Sequence, residues 1–339
     1  MESIYSLTLS ELKSFLVKKD QSPELAQILF QHLYKNKKTQ SISPKTIEIL
    51  KTQYSFDLPE IETVSKSPDG TIKFLMKLHD GKTVETVLIP FHKRFTVCLS
   101  SQVGCAMKCS FCYTGTMGLS RHLKSSEIIG QYVVAASYLA KETGTKPVSP
   151  NIVFMGQGEP LHNTEEVLGA LDVFMEPMGL GIGPRQITLS TAGYLPGMKK
   201  LAKFPQINLA LSLHSPFNET RKELIPINQH YPLEDIFEAL DNVPLMKRQF
   251  ITYEYLLIDG LNDRIEDADE LKKLLSKRKA IINIIPFNPF PGSQYRRPDS
   301  QKVDYFKDLL VERSLRTMVR TTKGSDILAA CGQLKSKTV

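Results

Sequence analysis

The chain has 339 residues, 41% hydrophobic and 23% charged, with a formal net charge of +7. That length accommodates one large α/β domain plus a smaller one, and the apolar share suffices for a sizeable core. The longest apolar run, Tyr132 to Ala140, is far short of the ~20 residues of a membrane span. The start, MESIYSLTLSELK, lacks the basic and apolar segments of a signal peptide. A cytosolic (cytoplasmic) protein with no membrane partner is therefore expected. A basic balance suits a polyanion such as RNA, and it also simply keeps proteins soluble. Basic residues gather at Lys35, Lys37 and Lys38; at Lys199, Lys200 and Lys203; at Lys277, Arg278 and Lys279; and at Arg296 and Arg297.

The first 60 residues read as short helices. Thr8 and Glu11 have capping-box spacing before Leu12, Phe15 and Leu16. Ser22-Pro23 and Ser43-Pro44 each place a capping residue before a proline at the first helical position. A hairpin follows, Thr71–Leu78 and Thr83–Ile89, joined at Asp80-Gly81, a favoured type I′ pair. Residues 1–90 form a predicted accessory domain. Its basic stretch after an amphipathic helix suits it to gripping folded RNA.

From about Phe95 short β-branched runs alternate with helical stretches. Strands are predicted at Phe95–Leu99, Asn151–Met155, Gln186–Ser190, Ile207–Leu213, Phe250–Leu257 and Ala280–Ile285. Helices are predicted at Glu127–Ala140, Glu165–Phe174 and Asp267–Leu275. This alternation implies an α/β fold of parallel βαβ units with both sheet faces covered. Six such units imply a partial or closed (β/α)6 barrel over residues 91–339, with the chemistry in loops after the strands.

Five cysteines in a reducing compartment do not make a disulfide framework. Three of them, Cys105, Cys109 and Cys112, lie in one loop, SSQVGCAMKCSFCYTGTMG, just after the first barrel strand. A four-iron, four-sulfur (4Fe-4S) cluster normally takes four thiolates. With three, one iron keeps open positions that the amino and carboxylate groups of S-adenosylmethionine (SAM) can chelate. Electron transfer from that iron then breaks the sulfonium C–S bond and releases a deoxyadenosyl radical. The competing reading is a zinc tetrahedron completed by His122. Zinc knuckles, however, favour paired two-residue gaps, and no second cysteine pair exists here.

Further polar groups fall at or after the strand ends. Gly156-Gln157-Gly158-Glu159-Pro160 follows the second strand, where Gly158 admits close backbone approach and Glu159 offers a carboxylate to the SAM ammonium. Ser190 ends the third strand, Ser212, Leu213 and His214 end the fourth, and Asn288 follows the sixth. Each alone reads as a satisfied loop residue; in register they read as one site. Cys98 closes the first barrel strand and Cys331 lies in SDILAACGQL. Singly they read as a buried small hydrophobe and an incidental residue, and together as a redox pair.

The ordered stretches VETVLIP, SSQVGCAMKCSFCYTGTMG, FMGQGEPL, LSTAG, LALSLHSP, IPINQHYPL, IPFNPFPG and DILAACGQL resemble the RlmN/Cfr family of radical SAM RNA methyltransferases. The resemblance covers essentially all of residues 5–335 and is densest after Glu85. It implies methylation of adenosine in 23S rRNA and, in many members, in tRNA. Carbon 2 of adenine is electron-poor, so polar displacement from SAM fails there and a carbon carrier is needed. The resemblance assigns that role to Cys331, methylated by a first SAM. A second SAM, cleaved at the cluster, gives the radical that takes hydrogen from the S-methyl group. The methylene radical adds to adenine, and Cys98 resolves the adduct as a disulfide with Cys331. Two SAM are thus used per turnover.

By the same resemblance Glu85 is the proton acceptor at the adenine, although by sequence alone it reads as a solvated strand residue. Gly158, Glu159, Ser190, Ser212, Leu213, His214 and Asn288 align with SAM-binding positions, and a flavodoxin-type electron donor is expected. Pro160 resembles the carbon-2 group; the alternative is carbon 8. Tyr113 stands where alanine or serine is usual, and Gln157 where methionine is common. Two other readings remain: a generic radical SAM protein such as a glycyl-radical activator, with no role for Cys98 and Cys331, and a zinc-bound RNA-binding module.

Overall fold

The computed structural model describes residues 1–35, 42–91, 94–144 and 150–336, so Lys37 and Lys38 lie outside the described residues. Three helices open the chain, α1 (Leu9–Lys18), α2 (Leu25–Lys35) and α3 (Pro44–Lys51). The Thr8–Glu11 capping box is present, each residue's side chain accepting the other's backbone N–H. Ser43 caps α3 at Thr46 N–H. Ser22 does not cap α2: Pro23 and Glu24 form a turn ahead of Leu25, and the Ser22 hydroxyl donates to the Glu24 carboxylate instead.

The central sheet holds ten strands, numbered here β1 (Glu60–Lys66), β2 (Ile72–Lys77), β3 (Thr83–Phe91), β4 (Arg94–Cys98), β5 (Asn151–Phe154), β6 (Ile187–Thr191), β7 (Asn208–Ser212), β8 (Ile251–Leu257), β9 (Ala280–Pro286) and β10 (Thr317–Val319). They lie side by side in chain order. β1 to β4 form an antiparallel meander, and β4 to β10 are parallel. Covering helices α4 (Ser125–Thr143), α5 (Thr164–Met175), α6 (Asn218–Leu224), α7 (Leu233–Asp241), α8 (Ile265–Leu275) and α9 (Ser300–Glu312) sit in the crossovers. Six β/α units therefore form the expected partial barrel, followed by a seventh parallel strand, β10. β1 and β10 are the edges of the sheet, which stays open. Residues of β4 and of β9 and β10 nevertheless line one cavity, so the sheet curves strongly.

The hairpin does not stand apart from the barrel. β3 pairs with β4 from Val87 to Phe91, and the meander extends the same sheet. Nor is its turn type I′, which needs positive φ at both central residues. Gly81 has φ +82°, but Asp80 is not among the positive-φ residues. Gly81 N–H donates to Leu78 O at 2.9 Å and Leu78 N–H to Lys82 O at 2.8 Å, the pattern of a type I turn with a glycine bulge. Ser67–Thr71 repeats it around Gly70. Among the described residues, no helix is long and apolar enough to cross a membrane.

Candidate active site and cluster loop

Two cavities meet at Cys331. The first, of about 140 Å³, sits at the carboxyl ends of the parallel strands. Cys105, Cys109 and Cys112 line it, as do Gly158, Glu159, Ser190, Ser212 and His214. The cysteine loop is anchored at both ends and in the middle. Cys105 N–H donates to Gly118 O at 2.8 Å, Ser110 N–H to Leu224 O at 3.0 Å and Tyr113 N–H to Gly332 O at 2.6 Å. Phe111 meets the His214 ring edge-on at 4.7 Å. A small apolar group including Met107, Ile225, Leu256, Phe287 and Phe290 backs the loop.

Burial pushes the Cys105 thiol up to about 12 and raises Cys109 and Cys112, with Cys105 and Cys112 pushing Cys109 further. Met107 N–H points at Cys105 Sγ at 3.5 Å, and Gly115 N–H donates to Cys112 O at 3.0 Å. Three desolvated sulfurs whose thiolates would repel one another suit a cationic iron–sulfur centre that stabilises all three thiolates at once. Among the described residues no three His, Cys, Asp or Glu side chains converge on a single metal ion. A cubane makes no such demand, because each thiolate ligates its own iron.

Glu159 is buried, its two oxygens accepting Leu161 N–H at 3.0 Å and Ala192 N–H at 2.7 Å. Desolvation raises it to about 7. His214 is held neutral, lowered to about 3 first by burial and then by Arg221. Its Nδ1 accepts Leu256 N–H at 3.0 Å, which puts the ring proton on Nε2. Ser190 donates to Glu254 at 2.8 Å. Leu213 does not line the cavity; its side chain lies in the main core, as strand alternation requires with Ser212 facing inward. Asn288 lines the second cavity instead. It donates to Cys331 O at 3.2 Å and accepts from Arg297 at 2.8 Å.

Gly158 has φ +101°, and a Cβ there would lie 2.6 Å from Gln102 Cβ and 2.8 Å from Gln102 N. Gln102 accepts Glu159 N–H and leads into the cysteine loop. Gly158→Ala is expected to cost about 1–3 kcal/mol of stability and to weaken SAM binding at least about tenfold, a further 1.4 kcal/mol. Thermal unfolding and calorimetric titration of the anaerobic holoprotein check this, and unchanged SAM affinity would refute the close-approach role.

The second cavity, of about 690 Å³, is lined by both Cys98 and Cys331. Both thiols are free. Cys98 is pushed up to about 12 by burial and then by Cys331, and Arg320 opposes both effects. Glu85 is 4% exposed, so the solvated-face expectation is corrected. Its carboxylate pairs with Lys73 at 2.8 Å and accepts Lys335 N–H at 2.7 Å. Lys73 also donates to Leu328 O. The two departures from the family pattern both hold the Cys331 segment. Tyr113 bonds Gly332 and lies under the Lys335 ammonium at 4.2 Å. Gln157 accepts Glu85 N–H at 2.9 Å and donates to Ser336 Oγ at 3.2 Å.

Residues 99–274 match the model described as the Radical SAM superfamily. A protein named dual-specificity RNA methyltransferase RlmN, from Nitratidesulfovibrio vulgaris (strain DP4), is 42% identical over 347 residues, covering 99% of this chain and 95% of that one. The chain belongs to the RlmN family of radical SAM proteins. Its namesake in Syntrophobacter fumaroxidans (strain DSM 10017 / MPOB) is 41% identical, covering 98% and 97% of the two chains. The crystal structure of a radical SAM methyltransferase from Sphaerobacter thermophilus superposes with a TM-score of 0.91 at 36% identity, covering 99% of each chain. Radical SAM membership implies SAM and a 4Fe-4S cluster as cofactors.

Three charged residues of this RlmN-family site escaped the sequence reading. Arg221 is fully buried behind the first cavity, Glu254 lines that cavity, and Arg320 lines the second. The available signal was a carboxylate inside the apolar strand ITYEYLL, at Glu254. Part of the basic clustering is structural: Lys200 pairs with Glu165, Arg278 with Asp241, and Arg297 bonds the Asn288 loop.

Proposed function

We propose that this radical SAM methyltransferase of the RlmN family places its methyl group on carbon 2 of an adenosine in 23S rRNA and in tRNA, with Cys331 as the carbon carrier. The observation that carries the reading is the position of Cys331, a residue that lines both the cavity of the three-cysteine loop and the cavity reached by Cys98.

When bound, the cluster and two SAM per turnover supply the radical chemistry and the methyl carbon, with electrons from a flavodoxin-type donor. Cys105, Cys109 and Cys112 hold the cluster. Gly158, Glu159, Ser190, Ser212 and His214, with the backbone at Leu213, hold SAM; Asn288 supports the carrier through Cys331 O. Cys331 presents its sulfur-bound carbon to the adenine. Glu85 takes the proton released at the ring. Cys98 then loses its proton and attacks the Cys331 sulfur, forming the S–S bond as the C–S bond to the product breaks, and the released carbon takes up a proton to become the methyl group. Pro160, which starts the single turn Pro160–Asn163 after Glu159, supports carbon 2 over carbon 8.

Mass spectrometry of nucleosides from rRNA and tRNA fragments, treated with reconstituted enzyme, is expected to show 2-methyladenosine. Finding 8-methyladenosine would overturn the position. SAM cleavage with no RNA methylation would overturn the substrate.

A further inference from the structure

The second cavity plays no part in holding the cluster cysteines. It is walled by the inner faces of β4, β5, β9 and β10 and by the segments 320–323 and 329–334. Cys98 and Cys331 both reach it, whereas only Cys331 reaches the first cavity. Its charged lining residues, among those described, are Arg320 and Lys323; no carboxylate lines it. Arg320 shares this lining with both cysteines, and its guanidinium lies 3.9 Å from a Glu254 oxygen. At about 690 Å³ the space falls in the range that takes small organic ligands, roughly 300–1,000 Å³.

The carrier role of Cys331, on which this inference rests, leaves a Cys98–Cys331 disulfide after each methylation. Two electrons must then arrive from outside. The first cavity is the cofactors' own, whereas Cys98, 5% exposed, and the partly exposed Cys331 both line the second, so a small thiol entering there meets either sulfur. We propose that the second cavity is the entry for a small anionic thiol, one carrying carboxylates or a sulfonate, that reduces this disulfide. Its thiolate attacks one sulfur, the S–S bond breaks, and the other cysteine leaves as a thiolate that takes a proton. A second thiolate attacks the mixed disulfide and frees the remaining cysteine. Two small thiols thus become one small disulfide while both protein thiols are restored. Arg320 and Lys323 supply the positive field that concentrates an anionic thiol there.

The test uses anaerobic holoprotein oxidised with diamide, followed by alkylation and mass spectrometry of the Cys331 peptide. At equal thiolate concentration, 2-mercaptoethanesulfonate is expected to reduce the disulfide at least about tenfold faster than cysteamine, with neutral 2-mercaptoethanol between them. Lys323→Glu removes most of that difference. Thr96→Phe on the cavity wall slows all three thiols, read as reduction of the oxidised enzyme and not as methylation. Met318→Trp, at the exposed rim, repeats the obstruction without disturbing the strand interior. Equal rates for the three thiols, or no slowing in either obstructed variant, overturns the proposal. So does a loss of RNA retention on filters with reduction unchanged, which would give the cavity to RNA. If diamide links no Cys98 to Cys331, the carrier reading itself fails and takes this proposal with it.

Discussion

Cys98→Ala is expected to lower the release of methylated adenosine at least about a thousandfold while leaving RNA covalently attached to Cys331. With no thiol to attack the Cys331 sulfur, the C–S bond to the product persists. Denaturing electrophoresis should show an RNA–protein adduct that disappears in the Cys98→Ala/Cys331→Ala double variant. The substitution removes one sulfur from the packing of Val87, Ala329 and Leu334, so folding should lose only ~1 kcal/mol. Burial keeps the Cys98 thiol protonated, and the charge of Arg320 favours the thiolate of both cysteines. Wild-type release of product by Cys98→Ala would remove the resolving role.

The second large effect lies behind the cofactor site. Arg221 is 0% exposed and donates to Leu213 O at 3.1 Å, Ser212 O at 2.9 Å, Ala192 O at 2.8 Å and Asn228 Oδ1 at 2.5 Å. One guanidinium thus ties together the carboxyl ends of β6 and β7. Burial lowers it to about 10, so it remains charged at neutral pH. Arg221→Ala orphans several buried acceptors, each worth about 1–3 kcal/mol. Allowing for relaxation and water entry, a loss of about 3–5 kcal/mol is expected. SAM affinity should fall with it, because Ala192 and Ser212 line the cavity. Arg221→Lys should recover only part, since an ammonium cannot reproduce the planar fork. Urea unfolding checks the stability, and a loss under about 1 kcal/mol would show that these carbonyls find other partners.

The six barrel strands were legible because β-branched runs and helical periods alternate over short distances. β10 was missed because it has three residues, two of them exposed, and so little pattern. β1 was missed because it is an edge strand rich in charged and polar residues. The Asp80-Gly81 turn shows a local limit: the same dipeptide serves a two-residue turn or a bulged one, and loop length decides. The three-cysteine loop is a local motif and could be read directly. The meeting of Cys98 with Cys331 is made by sheet curvature, which no spacing encodes; the three-plus-two split of the cysteines suggested a pair, and the family resemblance gave its members their roles. Glu85 misled because its strand, buried throughout TVETVL, hides both faces. Arg221 and Arg320 were invisible because an isolated charge in a sequence ordinarily means surface, and the one signal, Glu254 within an apolar strand, was passed over.

The segment that carries Cys331 has little regular structure of its own; beyond the short turn Ser325–Ile327 it is held by what it touches. Thr114 and Tyr113, from the cysteine loop, bond Leu334 and Gly332, and Glu85, from the hairpin, bonds Lys335. Whatever orders the cysteine loop must then also order the carrier, and by thermodynamic reciprocity a docked carrier steadies the loop in turn. A chain that has not acquired its metal centre would therefore also hold Cys331, the proposed carbon carrier, loosely. On the proposed carrier role, maturation and carrier placement become a single cooperative event, and an immature copy would lack both halves of the chemistry at once.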